Sequence, residues 1–317
     1  MGVEEQKAAD ALKAIARDQG IKSYIQQSPD LYPLFQKAAK RFVTGETREE
    51  GISAAESLRS KGYRVSLEYI GENTSEEAEC IKAKNEFVRL MKDVGSRNLH
   101  ATISFDLSHI GLFISEAFAQ DQLEELAEEA KAYHLTLMIS MEESAKTDSI
   151  LSVFKRTAVK YSNIGITLQA HLKRTANDLE ELLHYPGTIR IVKGAYQEPE
   201  DISMSRSGEL NKHYLDLAKI CQEANHPVSI ATHDESLIKE LLKGNQLAKT
   251  EFEMLYGVRP DMAKELKDRG CKTKIYLTYG EEWYLYLCHR LAEYPPNIYT
   301  AISDIVNLEA GDDSALY

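Results

Sequence analysis

The chain has 317 residues, of which 43% are hydrophobic, with a formal net charge of −12 and four cysteines. That length accommodates one large domain or two small ones, and that apolar content excludes global disorder. The acidic balance argues against nucleic acid as a partner, because phosphate binding needs a basic surface. Cys80, Cys221, Cys271 and Cys288 show no C-x-x-C spacing. Zinc and thioredoxin-like sites are therefore not expected, and the thiols fit a reduced, cytoplasmic setting with no metal. The polar N-terminus and the lack of any apolar run near ~20 residues predict no signal peptide and no membrane span.

Residues 1–60 read as an N-terminal helical segment, with apolar residues at three- and four-residue steps over 4–16, 30–43 and 46–60. Thr47 stands as an N-cap behind a Gly-containing stop. From 61 to 308 the chain alternates short β-rich runs with helical stretches. The runs are 64–70, 100–105, 135–141, 164–169, 188–193, 228–232, 252–256 and 274–278, and the helical stretches include 74–94, 115–133 and 175–185. Eight such runs predict an α/β fold of the (β/α)8 TIM-barrel type. Strand counting leaves a doubly wound open sheet as the alternative, but no G-x-G-x-x-G follows the first run. The acidic stretch 309–317 is expected to be loose.

The most informative stretch begins at Lys274. It reads as a strand, a Gly-containing turn and a helix that stops before Pro295 and Pro296. On that helix Tyr286, His289, Arg290 and Glu293 share one face. Taken alone, that face reads more readily as solvated ion pairs than as a site. In a barrel, functional side chains lie at the C-terminal ends of strands. Those ends carry Leu67-Glu-Tyr-Ile-Gly-Glu72, Leu168-Gln-Ala-His-Leu-Lys-Arg-Thr175, Ile189-Arg-Ile-Val-Lys-Gly-Ala-Tyr196 and Ile230-Ala-Thr-His-Asp234. Arg190 inside a β-run calls for a buried partner.

These segments, taken in order, resemble the proline dehydrogenase family, whose last helix reads Tyr-x-x-Arg-Arg-x-x-Glu. Here the pattern is Tyr286-Leu-Cys-His289-Arg290-Leu-Ala-Glu293, preceded by Tyr276 on the last strand. The resemblance implies a barrel with its C-terminal helix over the mouth. It also implies FAD as cofactor, oxidation of proline to 1-pyrroline-5-carboxylate, and a quinone acceptor that brings the protein to a membrane surface. By the same resemblance Gln169, Arg190, Lys193, Gly194, Ala195, Thr232 and His233 contact the flavin. Tyr196, Leu255, Tyr276, Tyr286 and Arg290 shape the substrate pocket, and Glu72 faces His289 across it. Three positions depart from the pattern: Asp106 stands where the family has lysine, Ser140 where it has aspartate, and His289 where it has the first arginine. The pocket becomes about two charge units less positive. Two alternatives to proline oxidation follow: a shifted amine or amino-acid substrate, or a non-catalytic flavin- or metabolite-binding barrel.

Overall fold

The computed structural model describes residues 3–244, 247–293, 296–306 and 317. Four helices precede the first strand: α1 (Val3–Arg17), α2 (Gln19–Gln27), α3 (Leu31–Ala39) and α4 (Arg48–Ser60). The sequence reading lacked α2. Its start is set by one local bond, from the Ile21 N–H to the Asp18 carboxylate, and not by a long apolar period. The α4 start is a capping box in which Thr47 accepts from the Glu50 amide while Glu50 reaches back to the Thr47 amide.

Eight parallel strands then close into a barrel in chain order: β1 (Arg64–Tyr69), β2 (Ala101–Phe105), β3 (Thr136–Ile139), β4 (Ile164–Gln169), β5 (Ile189–Val192), β6 (Val228–Ala231), β7 (Thr250–Leu255) and β8 (Thr273–Tyr279). Closure runs from Arg64↔Lys274 to Tyr69↔Tyr279, which decides for the barrel over the open sheet. Between strands lie α5 (Glu77–Ser96), α6 (Glu116–Ala132), α7 (Thr147–Ala158), α8 (Thr175–Leu182), α9 (Gly208–Glu223), α10 (Glu235–Leu242) and α11 (Pro260–Asp268). After β8 come α12 (Trp283–Glu293) and α13 (Pro296–Val306). The outer faces of β1 and β8 are covered by α4. Helix α12 instead packs with α1, α3 and α13 around a second core that includes Phe42, Trp283, Leu287 and Ala301. No described helix is long and apolar enough to cross a membrane.

The barrel wall reverses the usual apolar interior. Outward positions such as Val65, Leu67, Ile103, Phe252, Met254, Ile275 and Leu277 join the main core beneath the helices. Most of the alternating positions are polar, and several bond to one another across the lumen. Ser66 Oγ meets Ser104 Oγ at 2.8 Å. Arg190 donates to Glu253 (3.1 Å), Thr167 (3.0 Å) and Ser104 (3.4 Å). The Ser229 hydroxyl donates to Glu253 at 2.6 Å, and Lys274 pairs with Glu251 at 2.5 Å. A boundary also shifts: Thr250 and Glu251 belong to β7, although their polarity reads as turn in sequence. Glu251 joins the polar lining through Lys274, and Thr250, on the outer face, accepts from Gln222 of α9 at 3.2 Å.

The stretch 309–316 lies outside the described residues, but Tyr317 is buried among core aromatics, which corrects the expectation of looseness at that residue. A single anchoring side chain leaves no trace in composition.

Arg190 and Glu253 are each at most 5% exposed at the side chain. Glu253→Ala should therefore leave an uncompensated cation and cost about 3–5 kcal/mol. The urea midpoint measures it; a loss below about 1 kcal/mol would show that Arg190 does not depend on the Glu253 charge.

Candidate active site

At the C-terminal end of the lumen the Arg190 guanidinium lies 5.3 Å from the Tyr276 ring centroid. The Tyr276 hydroxyl donates a short hydrogen bond to Glu68, two residues above Ser66 on β1. Burial pushes Glu68 up to about 7, against the Tyr276 bond and the Arg190 and Arg290 charges, which favour the carboxylate. Glu253 goes the other way. Burial would raise it, but Arg190 and Lys274 hold it below the usual carboxylate range.

Above this floor sit Glu72, Asp106, Glu142 and Glu143. Burial first, then the neighbouring Glu142, Glu68 and Glu72, push Asp106 well above the ordinary aspartate range. Tyr196 feels Asp106, Glu72, Glu142 and Glu143 after the larger effect of its own burial. Glu142 accepts from the Ser108 amide (3.0 Å) and from Lys146 (2.6 Å), and Lys146 also reaches Asn73 at 2.5 Å. These bonds tie the loops after β1, β2 and β3 into one rim. Ser140 follows β3, with its amide donating to the Phe105 carbonyl at 2.9 Å. Gln169 is buried and donates to the Glu142 carbonyl at 2.8 Å.

The opposite wall is built by the turn after β5. Lys193 bonds Asp234 at 2.6 Å. Although burial would raise Asp234, the Lys193 ammonium, the Ser236 hydroxyl and the Leu237 amide bring it down to about 2. The same carboxylate caps α10, so one side chain fixes both helix and lysine. Gly194 has φ +103°, and a Cβ there would meet His171 Nδ1 at 1.5 Å. His171 Nδ1 lies 3.0 Å from the Lys193 carbonyl, so it donates, and its buried Nε2 has no partner. Ala195 is exposed and Tyr196 half-buried. Thr232 accepts from the Asp234 amide at 3.1 Å. The Leu255 amide donates to His233 Nε2 at 3.1 Å. Burial, then the Arg290 and Arg259 charges, lower His233 to about 3. The ring is neutral with its proton on Nδ1, and that buried atom has no hydrogen-bond partner.

The lid side comes from α12. Arg290 Nη2 bonds Glu293 at 2.7 Å, its guanidinium lies 4.9 Å from the Tyr286 centroid, and its buried Nε has no partner. Its charge acts on Glu68 and on His233, which sets α12 over the mouth. His289 is half-buried beside it. The fold therefore gathers Arg190, Tyr276, Glu68, Tyr286 and Arg290 on one side, and Lys193, Gly194, Thr232 and His233 on another. Sequence reasoning missed Glu68, Glu253, His171 and Asp234 as partners. Period-2 alternation put Glu68 and Glu253 on the lumen face, and that signal was present in the strands.

A model of the family described as Proline dehydrogenase matches residues 52–297. Proline dehydrogenase 1 of Bacillus subtilis strain 168 is 30% identical over 264 residues, covering 82% of this chain and 87% of that protein. Proline dehydrogenase of Deinococcus radiodurans is 30% identical over 269 residues, covering 82% and 87%. Among solved structures, proline utilization A of Bdellovibrio bacteriovorus inactivated by N-propargylglycine superposes with a TM-score of 0.76 at 19% identity. That match covers 98% of this chain but 38% of the longer one, and it speaks to the fold alone.

Glu68 yields a pH prediction. Its pKa is higher in the folded state, about 7 against 4.5. Its stabilisation is therefore complete below about pH 4.5 and is lost as pH rises to about 7. Glu68→Gln should match the wild type near pH 4.5 and exceed it near pH 8, by up to about 3 kcal/mol. Urea midpoints across that range test it; parallel curves would mean that Glu68 ionises normally.

Proposed function

The chain belongs to the proline dehydrogenase family, and from that premise we propose that it is an FAD-dependent oxidoreductase acting on the CH–NH bond of proline or a close relative. The observation that carries the reading is a set of buried polar atoms without partners around one mouth: His171 Nε2, His233 Nδ1 and Arg290 Nε. Polar atoms are rarely left so in a dry interior; a polar ring system with a pyrophosphate fits the two imidazoles, and a substrate carboxylate fits Arg290. Gly194 offers a close backbone approach beside His171. In this reading Gln169, Arg190, Lys193, Gly194, Ala195, Thr232 and His233 hold the flavin, which when bound supplies the hydride acceptor.

The chain's own residues supply alignment and charge. Arg190 is a fixed donor on the floor, pre-set by Glu253 and Thr167, so it needs no reorganisation when negative charge develops above it. Arg290 grips the substrate carboxylate, since a guanidinium presents parallel donors even when its partner arginine is absent. Tyr276, Tyr286, Tyr196 and Leu255 pack the ring and exclude water. Glu68 fixes the Tyr276 phenol. Glu72 faces His289 to close the pocket, and a quinone takes the electrons at a membrane surface.

The excess of acids around Asp106 favours a second reading, in which the substrate carries an additional cationic group. A cation delivered there would offset the burial and the neighbouring carboxylates that raise Asp106.

The test is an anaerobic titration of the purified yellow protein. Proline should bleach the flavin. The triple variant D106K/S140D/H289R should saturate at roughly tenfold lower proline, a difference of about 1.4 kcal/mol. Equal saturation would remove these three positions from specificity. A wild type bleached by a diamino acid but not by proline would select the second reading, and a protein without flavin absorbance would overturn both.

A further inference from the structure

Leu255 lies on the lumen face at the end of β7 and packs against the second core, while the next residue, Tyr256, lies on the opposite face and joins the outer core. Tyr317 is seated on that outer face. Its ring stacks on Tyr256 (centroids 5.9 Å, 9°) and meets Tyr63 edge-on (5.6 Å, 85°). Its hydroxyl oxygen accepts from the Gly257 amide at 2.8 Å. Gly257 has φ +73°, and a Cβ there would meet the Arg41 carbonyl at 1.8 Å. The turn is therefore confined on its other side by backbone. Two further bonds complete it: Tyr256 N–H to the Tyr276 carbonyl (3.0 Å) and Val258 N–H to the Leu255 carbonyl (3.1 Å).

Inside the wall, this same turn supplies the Leu255 amide that holds His233 Nε2. That one bond fixes which ring nitrogen carries the proton. With Nε2 accepting, Nδ1–H is the donor left for the pocket. An imidazole free to exchange tautomers would present an acceptor there part of the time, and would lose the bond to any carbonyl or phosphate oxygen opposite it.

We propose that Tyr317 is a positioning residue for the cofactor site: it clamps the turn after β7 from outside the barrel, so that Leu255 keeps His233 in the Nδ1–H form. The proposal rests on the flavin reading above, in which His233 contacts the cofactor. It differs from a purely structural role because it predicts a change in the state of one imidazole 22 positions before Leu255. Tyr63 and Tyr256 give the phenol ring its seat, whereas the hydroxyl alone reaches the turn, so the two contributions separate by mutation.

The experiment uses the full chain in three forms: wild type, Tyr317→Phe and Tyr317→Ala. The Phe variant keeps the ring contacts and removes only the acceptor from Gly257. Three quantities are measured: the 15N shifts of the His233 imidazole, hydrogen exchange at the Leu255 and Gly257 amides, and FAD retention on dilution. Urea midpoints control for global loss of fold. Gly257 exchange should rise roughly tenfold or more in both variants, since an amide bond worth about one such step is lost. Tyr317→Ala should also average the two His233 nitrogen shifts and weaken FAD retention roughly tenfold, with Tyr317→Phe in between. Wild-type nitrogen shifts and Leu255 exchange in a folded Tyr317→Ala protein would overturn the clamp. Moved shifts with wild-type FAD retention would overturn its link to the cofactor. A wild type that holds no FAD would overturn the flavin reading, while the nitrogen shifts would still decide the clamp.

Discussion

Arg190 is a permanent cation sealed inside a barrel, 4% exposed, and much of the lumen follows from that. A guanidinium cannot shed its proton, so it must be paired where it is buried. Glu253 supplies the charge, and Thr167 and Ser104 supply acceptors for the other donors. Glu253 is then shared with Ser229 and with Lys274 at 3.9 Å, and Lys274 with Glu251. A chain of polar partners thus fills the space that branched aliphatics fill in most barrels of this type. The apolar burial is displaced outward, to the layer between strands and helices.

The same cation sets the tone at the mouth. Its positive charge lies under Tyr276 and acts on Glu68. Above it the chain adds acids faster than cations: Glu68, Glu72, Asp106 and Glu142 against Arg290 and Lys146. The rim stays in place because it is bonded loop to loop, through Asn73, Ser108, Glu142 and Lys146. The wall after β5 is held differently, by a lysine that shares its aspartate with a helix cap. Rigid walls of opposite character suit a reaction whose main demand is alignment over a reactive ring.

The candidate site could be proposed from sequence because its residues lie at strand ends in a fixed order. Gln169, Lys193, Thr232 and His233 each end or follow a β-run, and Tyr286 and Arg290 share a helical face four residues apart. What was not legible was pairing. Nothing local joins Arg190 to Glu253, 63 positions later, or Tyr276 to Glu68, 208 positions earlier. Those contacts exist because closing the barrel brings β8 beside β1 and turns alternate residues inward. His171 escaped notice for a related reason: its partner is a backbone carbonyl, and only the glycine beside it hinted at a close approach.

The sequence by itself determined the kind and order of elements, the cap at Thr47, the inward and outward faces of each strand, and the family to which the chain belongs. These are local properties, written in periods of two and of three to four residues and in short motifs. Tertiary structure alone decided the register in which β1 closes on β8, that α4 covers the outside of those two strands, and that Tyr317 seats against Tyr63 and Tyr256. It alone raised Glu68 and Asp106 above the ordinary carboxylate range as well. A carboxylate's pKa depends on the water it loses and the charges that surround it, and those neighbours come from strands and loops far apart in the chain.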